Sequence, residues 1–151
     1  MIEVSEYRAG DFEAVLRLWW DAWHAIAPGL RHPSPFEAWR TRWVEEILPA
    51  QRVAVAREAA QILGFAAVDV ANQELTQIFV APGLQRRGVG TSLLGWAQAV
   101  LPGGFRLSTL LENEPSRAFY RRHGLIEGGT HVSAVNGRPA IEYRWPPPAP
   151  A

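Results

Sequence analysis

The stretch Gln85-Arg86-Arg87-Gly88-Val89-Gly90-Thr91 has the residue types of an anion cradle. Its glycines let the backbone approach a ligand, amides at a helix start point outward without intrahelical acceptors, and the helix dipole adds positive potential. With two adjacent arginines, that chemistry suits a pyrophosphate; a left-handed turn that merely opens a helix uses the same glycines. A dinucleotide fold competes, because Glu112 follows at nearly the spacing of a ribose-binding acid. Its fingerprint, however, asks for a third glycine where Leu93 stands and for a glycine directly after the strand, whereas seven residues separate Val80 from Gly88.

Residue types that are missing narrow the chemistry further. Of 151 residues none is cysteine, and all 15 basic residues are arginine. Thiolate nucleophiles, disulfides, sulfur-built zinc sites, Schiff bases and Walker A loops are thereby excluded, and no metal site is expected. Fifteen acidic residues bring the net charge to zero, which argues against bulk binding to nucleic acid or to an anionic membrane. No window approaches the roughly 20 apolar residues of a spanning helix, and the acidic start Met1 to Glu6 is unlike a secretory signal, so a cytoplasmic location is expected.

The elements that must position the loop follow from periodicity. Residues 2–7 alternate as a strand, and Gly10-Asp11 turns into a helix whose stripe is Phe12, Val15, Leu16, Trp19 and Trp23. After the break at Pro28-Gly29, Ser34 as cap, Pro35 at the first helical position and Glu37 completing a capping box predict a second helix, striped by Phe36, Trp39, Trp43 and Ile47 and stopped by Pro49. Residues 52–57 and 62–70 read as an antiparallel hairpin, and 74–80 as a third strand of that group. Helix returns over 88–101, then a strand over 105–111, a short helix over 115–123, and two strands around the turn Asn136-Gly137. The order β-α-α-β-β-β-α-β-α-β-β predicts one α+β domain over 1–145, a mostly antiparallel sheet of about seven strands flanked by helices. The proline-rich tail 146–151 joins no helix or central strand.

At this point the chain resembles the GCN5-related N-acetyltransferases. Gln85-Arg86-Arg87-Gly88-Val89-Gly90 matches that family's Q/R-x-x-G-x-G/A acyl-CoA loop, preceded by Ile78-Phe79-Val80-Ala81-Pro82. A second block, Asn113, Pro115, Ser116, Ala118, Phe119, Tyr120 and Gly124-Leu125, is similar to the family's asparagine and A-x-x-F-Y-x-x-x-G-F segment, with leucine for the last phenylalanine. Arg8-Ala9-Gly10-Asp11 is similar to its first strand-to-helix turn.

The resemblance implies the GNAT-like fold and transfer of an acetyl group from acetyl-CoA to a small-molecule amine or a protein amino group, with no covalent enzyme intermediate. It implies that the strands 74–80 and 105–111 splay apart around the pantetheine arm. Ile78, Phe79 and Val80 would hold that arm and the oxyanion, the amides of Arg86 to Thr91 the pyrophosphate, with Gln85, Asn113, Ser116 and Phe119 beside them. Asn113 equally suits a helix cap. Tyr120 is the implied general acid, because its phenol would lie beside the sulfur. Glu74 is the implied base, a solvated turn glutamate being the alternative; His24 is a second candidate base, or a packed histidine. A non-catalytic acyl-CoA-binding module is the competing function, with the dinucleotide oxidoreductase behind it.

On the acceptor side, Trp19, Trp39 and Trp43 follow core periodicity, whereas Trp20 lies off the stripe, facing either the cleft or solvent. An apolar or aromatic amine is expected near Trp20, His24 and the loop 25–33. The charge is dipolar along the chain: seven arginines against eleven acids up to Glu74, eight against four after it. Arg86, Arg87 and Arg106 stand unopposed in sequence around the phosphate loop, and the acidic, aromatic half suits a cationic amine. An edge strand near Val132 or Tyr143 is the surface through which two copies would pair as a homodimer.

Overall fold

The computed structural model describes residues 1–146; of the tail, 147–151 lie outside the described residues. Strand β1 (Glu3–Glu6) leads through a 3-10 turn, Ala9–Asp11, into helix α1 (Phe12–His24), whose stripe of Val15, Leu16, Trp19 and Trp23 is buried as the spacing predicts. Asp11 fixes that entry. Only 7% exposed, its carboxylate accepts the Arg8 amide at 3.0 Å and two Arg57 guanidinium N–H groups at 3.1 and 2.9 Å. The helix start is thereby tied to strand β2 (Arg52–Glu58).

The hydrogen bond from Arg57 holds the Asp11 carboxyl below its usual value. A carboxylate with a depressed folded pKa stabilises the fold above its unfolded value of about 3.9, and the contribution fades as pH falls through the lower folded value. Asp11→Asn leaves Arg57 short of its counter-charge and is expected to cost about 1–3 kcal/mol at pH 7. Urea titrations at pH 7 and pH 2.5 check this: the gap between wild type and variant must shrink at the lower pH.

The second helix, α2, starts at Phe36 and differs from expectation at both ends. Pro35, not Ser34, is its cap residue, and no side chain caps it; the Ser34 amide is instead donated to His32 Nδ1 at 3.0 Å, which draws that residue away from the capping position. Regular α winding covers Phe36–Arg42, a π turn follows over Trp43–Ile47, and a last turn, Leu48–Ala50, contains Pro49. Proline offers no N–H and crowds the carbonyl four residues back, so the irregular winding falls where proline disturbs the ladder.

Strands β2, β3 (Gln61–Asp69) and β4 (Glu74–Val80) form an antiparallel meander. Helix α3 (Val89–Val100), strand β5 (Phe105–Leu110), helix α4 (Glu114–Arg122) and strands β6 (Ile126–Val132) and β7 (Pro139–Trp145) complete the chain. The seven strands lie in the order β1-β2-β3-β4-β5-β7-β6, antiparallel except at β4/β5. This is the mostly antiparallel, helix-flanked sheet the element order predicts. Alternate strand residues feed two cores: Ala56, Ala66 and Val68 face α3, while Val53, Val55, Phe65 and Ala67 face α1 and α2.

Strand β7 pairs on both sides, so Tyr143 is interior and the free edge falls to β6, where Val132 is 68% exposed. Among the described residues no helix is long and apolar enough to cross a membrane.

Candidate active site

The sheet opens in its middle. Strands β4 and β5 pair only at Glu74 and Arg106, where the Arg106 amide donates to the Gln73 carbonyl at 3.1 Å and its guanidinium to Glu74 at 3.2 Å. Beyond that bridge they diverge around a cleft of about 1020 Å³, walled by residues 76–80 of β4 and 107–110 of β5. Strand β4 spends one row of backbone groups on β3 and turns the other toward the gap, where no strand meets it. Glu74 therefore sits at the closed end, its carboxylate taken by Arg106, while Ile78, Phe79 and Val80 line the open part.

The glycine loop borders the open end. Arg86 (φ 69°) and Gly88 (φ 83°) both adopt the left-handed conformation, and Gly88 is the cap residue of α3. The amides of Gly88, Val89, Gly90 and Thr91 have no backbone acceptor among the described residues, the open donors of a helix start. A Cβ on Gly90 would stand 3.3 Å from the Phe119 ring, so the bare residue lets that ring close over the turn. Gln85 braces the loop by accepting the Gly83 amide at 3.0 Å.

The arginines separate. Arg86 lines the cleft, whereas Arg87 turns away to Glu58 on β2 at 3.0 Å, and Arg106 is held by Glu74. Two of the three charges that stand unopposed in sequence are thus opposed in space. Arg122, which loop spacing could not reveal, lines the cleft from the end of α4. Val89 sends its side chain into the core and is absent from the lining. Thr91 meets His123 Nε2 at 3.1 Å, and His123 Nδ1 donates to the Phe119 carbonyl at 2.9 Å, which joins the start of α3 to the end of α4.

Helix α4 supplies the opposite wall. Asn113 Oδ1 accepts the Ser116 amide at 3.3 Å, so the asparagine is the helix cap as well as a lining residue beside Ser116 and Phe119. Tyr120 lines the cleft yet is only 4% exposed, its ring 5.3 Å from that of Tyr143. Burial, and secondarily Tyr143, raise its phenol pKa. The phenol stays protonated near neutrality and can donate. Its hydroxyl has no hydrogen-bond partner among the described residues, while that of Tyr143 donates to Glu127 at 3.1 Å and accepts from Arg117 at 3.3 Å.

At the far end Trp19, Trp23 and Trp39 line the cleft with Ile26, His32, Arg42 and Gln51. Trp20 and His24, singled out from the sequence, are outside this lining. Trp20 packs on Phe36 and Trp39 at 5.4 and 5.1 Å, and both His24 nitrogens are engaged: Nδ1 donates to the Trp20 carbonyl at 2.8 Å and Nε2 accepts the His32 amide at 3.2 Å. His32 takes the place expected of His24. Its Nδ1 accepts the Ser34 amide at 3.0 Å and the Trp39 indole N–H at 3.4 Å, which assigns the proton to Nε2. Burial first, then nearby Arg42, push its pKa down and keep the ring neutral.

The acid-rich half does not deliver its acids here. Asp11, Glu13, Glu37 and Glu58 pair with arginines away from the cleft, and Glu74 is the one acid of the lining. Among the described residues no three histidines, aspartates or glutamates gather as a metal site.

The chain matches the model of the Acetyltransferase (GNAT) family over residues 12–125. Among curated proteins none matches the sequence. Solved structures with the same fold include a histone acetyltransferase HPA2 and related acetyltransferase from Corynebacterium glutamicum, 19% identical at TM-score 0.77 over 99% of this chain and 98% of that one. The PaiA N-acetyltransferase from Thermoplasma acidophilum in complex with coenzyme A is 18% identical at TM-score 0.74, over 96% and 99%. The ribosomal-protein-S18-alanine N-acetyltransferase from Escherichia coli is 19% identical at TM-score 0.70, over 100% and 97%.

Proposed function

The chain belongs to the GNAT family of acetyltransferases, and from that premise we propose that it transfers acetyl from acetyl-CoA directly to an amine within one ternary complex. The observation that carries this reading is the gap between β4 and β5, bordered by the open amides of α3 and by the Tyr120 hydroxyl, which is protonated and has no partner among the described residues. That a fold relative is described in complex with coenzyme A supports the choice of co-substrate. Gly88 to Thr91 would hold the pyrophosphate through their amides, assisted by Arg86 and Arg122. Ile78 and Val80 would pair with the pantetheine through backbone groups, with Asn113 and Ser116 opposite.

The thioester supplies an activated acyl carbon. As the acceptor nitrogen bonds to that carbon and the C–S bond breaks, a backbone N–H at Phe79 or Val80 steadies the oxyanion and Tyr120 gives its proton to the departing thiolate. Of the two protons the acceptor ammonium gives up, one goes to solvent through the open mouth and the other restores the Tyr120 hydroxyl by way of solvent, because Arg106 occupies Glu74 and two backbone groups occupy His24.

Calorimetric titration with acetyl-CoA and with NAD, followed by thiol release over an amine library, tests the proposal. Acetyl-CoA should bind, NAD should not, and thiol should appear only when an amine is present. Acetyl-CoA binding with no thiol release from any amine points instead to a binding module.

A further inference from the structure

The aromatic end of the cleft holds a cation that is only loosely paired. Arg42 lines it from α2, its side chain 33% exposed and its guanidinium 5.6 Å from the Trp19 ring centroid. Its nearest carboxylate, Glu46, stands 3.9 Å from Nε, and among the described residues it makes no hydrogen bond. Neighbouring arginines differ: Arg40 meets Glu13 at 2.7 Å, Arg52 meets Glu6 at 2.7 Å and Arg57 meets Asp11 at 2.9 Å. A guanidinium offers five donors in a fixed fork, and here the fork is left to the cleft.

The groups beside it are donors too. His32 has spent Nδ1 on two N–H groups and keeps only Nε2–H. Gln51 accepts the Thr76 hydroxyl through its carbonyl oxygen, which leaves its NH2. Among the described residues Glu74 is the one acid of the lining, and Arg106 holds it. A polycationic amine would meet an arginine and no carboxylate here. An amine that also carries an anion would complete the wall.

We propose that the acceptor is a small amino acid with an apolar side chain, its carboxylate held bidentately by Arg42 beside His32 and Gln51, its side chain on Trp23, Trp39 and Ile26. The amino end of this inference rests on the acetyl-transfer reading. The carboxylate end stands without it.

The full chain, saturated with acetyl-CoA, is to be assayed for thiol release with L-phenylalanine against L-phenylalaninamide and with L-tryptophan against tryptamine. The acids are expected to have kcat/KM values higher on the order of 10- to 100-fold, the size of one charge-assisted bidentate contact. The amide has the less basic amine, so deprotonation works against this result. In Arg42→Gln the ratio should fall to about 1, the acids losing their whole advantage over the amide and the amine. A ratio near or below 1 in the wild type, or one that survives in Arg42→Gln, overturns the proposal. Tryptophan fluorescence, with no acetyl-CoA present, compares N-acetyl-L-phenylalanine with its amide. Equal binding, or binding of neither, overturns the carboxylate site, whereas preferred binding of the acid without acetyl transfer to any amine overturns the acetyl-transfer reading alone.

Discussion

Tyr120→Phe should lower kcat by about 100-fold or more while acetyl-CoA affinity shifts by less than about threefold. Burial fixes the direction. A buried phenol whose pKa is raised enters the reaction still protonated at neutral pH, and the same burial makes the departing thiolate a stronger base than it is in water. Phenylalanine keeps the ring and its 5.3 Å contact with Tyr143, so the mutation removes the proton donor and little else. The hydroxyl has no partner among the described residues, and its loss should leave Tm within about 2 °C. Steady-state thiol release, calorimetric acetyl-CoA binding and a thermal melt separate the three effects. An unchanged kcat would remove Tyr120 from the chemistry, and a large fall in Tm would recast it as a packing residue.

The largest stability effect is expected at Trp19. This indole is 2% exposed and lies 4.6 Å from Trp39, 5.6 Å from Trp43 and 6.4 Å from Phe65, so it joins α1 to both α2 and the sheet. Truncation to alanine should cost about 3–5 kcal/mol and lower Tm by roughly 10 °C, because rings held on three sides collapse poorly into the void. Trp20→Ala provides the contrast. Trp20 is half-buried at the outer side of the cluster, and its loss should cost under about 2 kcal/mol and leave the acceptor KM unchanged. Denaturant unfolding of both variants decides between them: equal losses would mean that the cluster carries no such asymmetry.

What the sequence made legible follows a physical division. Gly88, Gly90 and Asn113 belong to two short segments whose conformation is local, a left-handed cap before a helix and an asparagine-capped turn, so the loop and the start of α4 were legible from residue types, whereas Tyr120 was reached through the family resemblance. Trp20 against Trp23 could not be settled that way. Both lie on one helix, and which of them meets the cleft depends on how α1 crosses the sheet, a tertiary fact. Arg87 and Arg122 teach the same lesson in charge: adjacency in sequence favours Arg87, yet Glu58 from another strand takes it, and Arg122 arrives from a distant helix. His32 gave no periodic signal because it sits in a loop. Its role depends on the Ser34 amide and the Trp39 indole converging on one nitrogen, which also displaced the expected cap of α2.

The single bridge between Glu74 and Arg106 has a further consequence for association. Sheets usually keep unpaired backbone rows at their outer strands, where charges or short length blunt them. This sheet keeps two such rows inside itself, one on β4 and one on β5, facing each other across the cleft. The pantetheine arm proposed above carries amide groups of its own, so in that reading it would serve as the missing strand, and the sheet would be complete only while that guest is bound.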